Sequence, residues 1–275
     1  MTETRGPVQR ADYDRVAVIT GADSGIGRAT AVALAEQGFD VGITFHCDAE
    51  GAARTAEEVR GHGRRAAVRR HDLGEPVSAA GVVDELAGEL GGIGVLVNNA
   101  GTGSSRPVID MDYQEWRSVL AVDLDGAFLC AQGAARLMRD RGAGGRIVNV
   151  TSVHEEYPLI GSGPYCAAKG GLRMLSRVLA LELSRYGITV NTVAPGEIAT
   201  PMTGQDNRPP EEGSRPGYPP GRPGDAREVA SAIAFLCGPG ASYITGASLF
   251  VDGGLGIMGP QAAESLTSES WRDLE

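Results

Sequence analysis

The chain alternates between short apolar runs and stretches that turn apolar every third or fourth residue, the pattern of strands interleaved with amphipathic helices. Arg15-Val-Ala-Val-Ile19 reads as a strand, and Ala29, Val32, Ala33 and Leu34 mark a following helix that ends at Gly38. Asp40-Val-Gly-Ile-Thr-Phe45 and Arg65-Ala-Ala-Val-Arg69 are the next two strands, with a polar, exposed helix over residues 48–61 between them. Pro76 to Leu90 reads as a helix with Val82, Val83, Leu86 and Leu90 on its inner side. Ile93-Gly-Val-Leu-Val97 is almost wholly apolar, as a parallel strand covered on both faces must be. Asp112-x-x-Glu115 opens a long helix through Met138. Arg146-Ile-Val-Asn-Val-Thr151 is the fifth strand, and a helix runs from Tyr165 to near Tyr186, with Gly187 suited to end it. Ile188–Val193, a helix from Asp225-x-x-Glu228 to Cys237, and the strand Ala247–Val251 complete the series.

Six rounds of strand and helix predict a single α/β domain of the Rossmann type over residues 15–254. It is a doubly wound, mainly parallel seven-stranded sheet with helices on both faces. Residues 1–14 form a polar N-terminal extension, and 255–275 a tail with Trp271 as its only large anchor. Residues 201–224 hold seven prolines and five glycines, too irregular for a core element and too long for a plain connection. This segment is the candidate substrate lid.

Charge and cysteine usage narrow the partners. A formal charge of −10 disfavours nucleic acid and anionic membrane. Cys47, Cys130, Cys166 and Cys237 are far apart and form no C-x-x-C pair, which fits reduced thiols and no metal framework. The N-terminus has no apolar signal segment, and no run approaches the length of a membrane span. A cytoplasmic protein acting on a small molecule is the expectation.

The candidate chemistry gathers where such sheets bind ligands, beyond the carboxyl ends of the strands. Thr20-Gly21-Ala-Asp23-Ser24-Gly25-Ile26-Gly27 follows a strand and opens a helix, the context in which glycines let a pyrophosphate approach free N–H groups. Asn98-Asn99-Ala100-Gly101, Ser152 and Pro195-Gly196 end other strands. The two amides either hold the turn together or touch the cofactor. Asp72, followed by Leu73, either accepts from an adenine amino group or closes an Asx-turn. Tyr165 and Lys169, four residues apart, share one helix face. A free phenol has a pKa of about 10, and an adjacent ammonium favours the phenolate, which suits a general acid/base. Ser152 can add a second hydrogen bond to the same reacting oxygen. His154 and Glu155 either face a polyol or order their loop. At the end of the second strand, Phe45 and His46 replace the acid that selects NAD. This favours NADP(H), with NAD(H) the alternative. Ser24, His46 and Arg28 are the candidates to meet a 2′-phosphate, each a weaker partner there than a well-placed arginine fork.

These motifs together resemble the short-chain dehydrogenase/reductase family in its compact form, over nearly all of Arg15 to Gly254. Ser152-Val-His-Glu155 and Leu249-Phe-x-x-Asp-Gly-Gly254 look like bacterial glucose 1-dehydrogenases, and the whole pattern looks equally like 3-oxoacyl-carrier-protein reductases. The resemblance implies an NAD(P)-dependent carbonyl–alcohol oxidoreductase with Tyr165 as acid/base. Lys169 would assist it and hold the nicotinamide ribose, and Ser152 would orient the substrate oxygen. It places Asp72 at adenine, Asn98 near the adenosine ribose, and Ile198 and Thr200 at the carboxamide. It also implies a homotetramer with Ser248–Val251 at an interface. One position departs: Asp123 stands where the family has a catalytic asparagine that holds a water linking the lysine to solvent. If Asp123 lies near Lys169, it opposes the phenolate and favours carbonyl reduction; otherwise it points away without effect. A catalytically weakened nucleotide-binding regulator is the alternative that Asp123 raises.

Overall fold

Alternation along the first strand sets the layers. In β1 (Val16–Ile19), Ala17 and Ile19 enter one apolar core while Val16 and Val18 enter another on the opposite face. The computed structural model describes residues 13–205 and 212–268. After β1 come α1 (Gly25–Glu36), β2 (Asp40–Phe45), α2 (Ala49–Gly61), β3 (Ala66–Arg70), α3 (Pro76–Leu90) and β4 (Val95–Asn98). Next are α4 (Tyr113–Leu120), α5 (Ala127–Arg141), β5 (Gly145–Val150), α6 (Gly163–Leu183) and β6 (Ile188–Pro195). The chain continues through β7 (Ile198–Ala199), β8 (Gly224–Asp225), α7 (Ala226–Cys237), β9 (Ser248–Val251) and α8 (Pro260–Ser268).

Seven strands form one sheet in the order β3-β2-β1-β4-β5-β6-β9, every neighbour parallel. The α1, α2 and α7 residues Leu34, Val59 and Ile233 pack on one face. Leu86, Met138 and Ala180 of α3, α5 and α6 pack on the other. Sheet order reverses between β1 and β4, so their carboxyl ends border the crevice where such folds take ligands.

Four expectations shift. The α2 helix is not simply exposed: Ala52, Thr55, Ala56 and Val59 form a buried face of mostly small residues. The long helix after Asp112 is interrupted by a π-helical stretch, Ala121–Gly126, between α4 and α5. As one continuous rod, Tyr113–Arg141 does reach the length and mean hydropathy (1.2) of a span, which corrects the reading that no segment does. Yet 56% of that window is buried in the fold, as a core helix should be. The packed domain also begins before Arg15: Tyr13 is buried, stacks near Phe39 and donates to the Cys237 carbonyl.

Glycines make the β1–α1 connection tight. Gly21 (φ +61) and Gly25 (φ +52) adopt conformations that L side chains rarely take. A Cβ on Gly27 would lie 2.2 Å from the Gly21 carbonyl oxygen and 2.6 Å from Asn99 Nδ2, so the first helical turn can lie against the turn only as glycine. At the other rim, β7 pairs with β8 and closes the base of the segment expected as a lid. Its residues 206–211, like Trp271 and residues 1–12, lie outside the described residues.

Candidate active site

The β5 strand delivers Thr151 and Ser152 to the rim of the sheet. Ser152 caps a short 3₁₀ turn, Val153–Glu155, its Oγ accepting from the His154 N–H at 3.2 Å. The Ser152 hydroxyl proton therefore stays available to a ligand oxygen. Pro164 stands in the first turn of α6, where its missing N–H costs nothing, and Tyr165 and Lys169 follow on one face. Lys169 Nζ lies 5.4 Å from the centre of the Tyr165 ring.

Lys169 is only 3% exposed, and its ammonium meets two acceptors. It pairs with Asp123 Oδ1 at 3.0 Å and donates to the Val150 carbonyl at 3.2 Å. Asp123 comes from the π-helical stretch, is fully buried, and takes the Thr102 N–H on Oδ2 at 3.0 Å. Asp123 therefore points at Lys169, not away from it. Gly101 leaves the room: a Cβ there would come within 2.6 Å of Asp123 Oδ1. Burial lifts the Asp123 carboxyl above its ordinary value, against the pull of Lys169 and the Thr102 N–H. Burial also works against the Lys169 ammonium, but Asp123 and Tyr165 beside it prevail and hold its pKa above the usual lysine value. Lys169 keeps its proton throughout the neutral range.

One cleft of about 910 Å³ collects nearly all the residues singled out in the sequence. Gly21, Asp23, Ser24, Gly25 and Ile26 form one wall, and Phe45, His46, Asp72 and Leu73 the far end. Ala100, Gly101, Ser152, Tyr165 and Lys169 line the floor; Pro195, Gly196, Ile198 and Thr200 line the near side. The α1 N-cap, Ser24, makes no side-chain cap bond, so the helix leaves its first N–H groups to whatever occupies the cleft. That glycine cradle fits a dinucleotide pyrophosphate.

Gly27, Arg28, Asn98, Asp123 and Glu155 are not among the lining residues. Asn98 is buried, donating to the Ala127 carbonyl (3.0 Å) and Asn149 Oδ1 (2.8 Å), so its side chain ties β4 to its neighbours and not to the cleft. Asn99 holds the glycine turn instead, donating to the Thr20 and Gly21 carbonyls at 3.0 and 2.9 Å. Asp72 does close an Asx-turn, with Gly74 N–H on Oδ1 at 3.0 Å, while its Oδ2 lies 3.3 Å from His46 Nε2. Glu155 turns inward to Ser248 (2.5 Å) and Arg173 (3.3 Å), which leaves His154 alone of that pair on the cleft.

Sequence reasoning missed Glu197 and Tyr218, both in the cleft wall. Glu197 accepts from Gln205 and Arg215, each at 2.7 Å, and so joins the two described ends of the 201–224 segment. Burial works against its carboxylate, but these donors and Tyr218 hold its pKa below the ordinary range. Burial, then the Glu197 carboxylate, pushes the Tyr218 phenol up. The only signal was position, two residues past Pro195 at a strand's carboxyl end.

The comparisons agree with this geometry. A family model described as "Enoyl-(Acyl carrier protein) reductase" matches residues 21–256. "Uncharacterized oxidoreductase YohF" of Escherichia coli (strain K12) is 51% identical over 247 residues, covering 90% of this chain and 98% of its own. The crystal structure of acetoin dehydrogenase YohF from Salmonella typhimurium superimposes with a TM-score of 0.86 at 49% identity, over 90% of this chain and 98% of that one. Acetoin dehydrogenase from Enterobacter cloacae gives 0.85 at 50% identity, over 90% and 97%. With a parallel sheet that opens its cleft at the β1–β4 reversal and relatives of this kind along almost its whole length, the chain belongs to the short-chain dehydrogenase/reductase family, as an NAD(P)-dependent enzyme.

Proposed function

We propose that this enzyme interconverts a small carbonyl compound and its secondary alcohol, with Tyr165 as general acid/base, and that it works best as a reductase. The observation that carries this is the grouping of Ser152, Tyr165 and a buried Lys169 on one cleft floor. When bound, the nicotinamide supplies or accepts the hydride. The Tyr165 phenol gives its proton to the substrate oxygen in reduction and takes it back in oxidation. The Ser152 hydroxyl donates to the same oxygen and holds it in place. Lys169 favours the phenolate by its charge.

Asp123 modifies this balance. Its carboxylate, 3.0 Å from Nζ, offsets the field that Lys169 exerts at Tyr165. Reduction needs the neutral phenol and tolerates the offset; oxidation needs the phenolate and is pushed to higher pH.

We propose NAD(H) as the preferred cofactor, against the lean that Phe45 alone suggests. Each group available for a 2′-phosphate is already held by a carboxylate. Ser24 donates to Asp23 (3.4 Å), His46 lies 3.3 Å from Asp72, and Arg28 pairs with Glu58. Asp23, Asp48 and Asp72 all line that end of the cleft, and burial first, with Asp48 adding to it, lifts the Asp23 carboxyl above its usual range. Arg70 is turned onto the His46 carbonyl at 3.2 Å. A phosphate dianion would enter among carboxylates with no free guanidinium among the lining residues.

For the substrate, the two acetoin dehydrogenase structures support a small compound with oxygens on adjacent carbons. The sugar or polyol alternative loses Glu155, which faces inward. Assembly as a homotetramer in the cytoplasm belongs to the same reading. Met174, Val178 and Leu181 form an exposed apolar stripe on α6, and β9 leaves a free sheet edge, the two surfaces that such a tetramer would cover. A sedimentation mass of one or two chains would remove the tetramer.

Three further outcomes are expected. Tyr165→Phe abolishes turnover while cofactor affinity, read by quenching of NADH fluorescence, stays within about threefold; retained turnover would end the acid/base assignment. NADH binds more than tenfold tighter than NADPH, about 1.4 kcal/mol, and equal affinity would reject the NAD(H) reading. Asp123→Asn moves the pH profile of alcohol oxidation lower and shifts reduction less. The same variant loses about 3 kcal/mol of stability because the buried ammonium keeps no countercharge. An oxidation profile that does not move would leave Asp123 without a part in proton transfer.

A further inference from the structure

We infer that His154 is the specificity-determining residue, accepting a hydrogen bond from a hydroxyl on the carbon beside the reacting carbonyl. This deepens the carbonyl–alcohol reading above and rests on it. His154 Nδ1 lies 2.8 Å from the Tyr157 carbonyl oxygen. A carbonyl only accepts, so Nδ1 carries a proton, and in the neutral imidazole Nε2 is a bare acceptor. The ring stands edge-on to Tyr165 with centroids 6.3 Å apart, and both line the cleft. Among the described residues, Nε2 has no hydrogen-bond partner.

The other acceptors nearby are committed. Glu155 is turned onto Ser248 and Arg173, and Glu197 holds Gln205 and Arg215. Ser152 and Tyr165 both present O–H donors to one oxygen. The substrate end of the cleft thus offers two donors for a carbonyl oxygen and one acceptor beside them.

An α-hydroxy ketone is the complement of that set: one accepting carbonyl next to one donating hydroxyl. A plain ketone offers Nε2 no donor, and a 1,2-diketone sets an acceptor against it. His154 is half-buried, so a substrate hydroxyl that replaces water on Nε2 adds the net worth of one hydrogen bond, and analogues that lack the hydroxyl forgo it. Reduction gives the vicinal diol: the reduced nicotinamide dinucleotide provides two electrons and one hydrogen as hydride, and Tyr165 provides the proton to oxygen.

The test compares kcat/KM for acetoin, diacetyl and butanone, which share a four-carbon skeleton, in the wild type, His154→Phe and His154→Gln. Wild type should favour acetoin over butanone by about 3- to 10-fold. His154→Phe should lower kcat/KM for acetoin several-fold more than for butanone and so erase that preference, and His154→Gln, which restores an accepting oxygen, should recover part of it. A merely structural role for His154 would lower all three substrates together. Equal losses, or an unchanged acetoin preference in His154→Phe, would overturn the assignment and leave the carbonyl–alcohol reading intact. A wild type inert toward all three, and toward a broader carbonyl panel, would overturn both.

Discussion

An ammonium enclosed by protein keeps its charge only if opposite charge and acceptors are brought to it, and Lys169 sets that demand for this structure. Meeting it fixes three elements at once. The π-helical stretch must carry Asp123 to Nζ, β5 must end with the Val150 carbonyl aimed at it, and the loop after β4 must pass with a glycine. Tyr165 then has little choice of place, because it sits one turn from Lys169 on the same helix. The cleft floor is organised by the satisfaction of one buried charge.

Elements whose burial is symmetric were legible in the sequence. The runs in β1, β4, β5 and β6 are apolar on both faces, and only a helix-covered parallel sheet satisfies that pattern. The buried face of α2 was not legible, because alanine and threonine fill a close helix–sheet contact without raising the apolar signal. The orientation of Asp123 was hidden for a different reason. A π turn adds one residue to the helical period and rotates the remainder of the helix by about 100°. Leu120, Val122 and Leu124 gave no way to tell which side Asp123 would take, and only the interrupted helix directs it to Lys169.

The cofactor end shows a second limit. Specificity was sought at the residue after β2, where Phe45 and His46 stand. The carboxylates on which the proposed NAD(H) preference rests arrive from elsewhere: Asp23 from the glycine turn, Asp48 from the cap of α2, Asp72 from the end of β3. Strand order brings these segments side by side, so their combined charge appears only once β3-β2-β1 are adjacent. Asn98 and Asn99 divide in the same way. Successive residues at a strand end point to opposite sides, which sends one amide into the core and the other to the glycine turn.

The turn after β5 joins proton handling to recognition without making either depend on the other's side chain. Ser152 is positioned through the backbone N–H of His154, and the His154 ring is positioned through the backbone carbonyl of Tyr157. Replacing the imidazole leaves the Ser152 cap in place, because every residue except proline supplies the N–H that the cap needs. The same fold can therefore exchange the group at position 154 and change which neighbour of the carbonyl it reads. Glu155 holds the turn from behind by joining Ser248 of β9 to Arg173 of α6, so the loop stays rigid whatever ring it carries. Substrate choice in this cleft is set by a side chain on the same turn whose backbone positions Ser152.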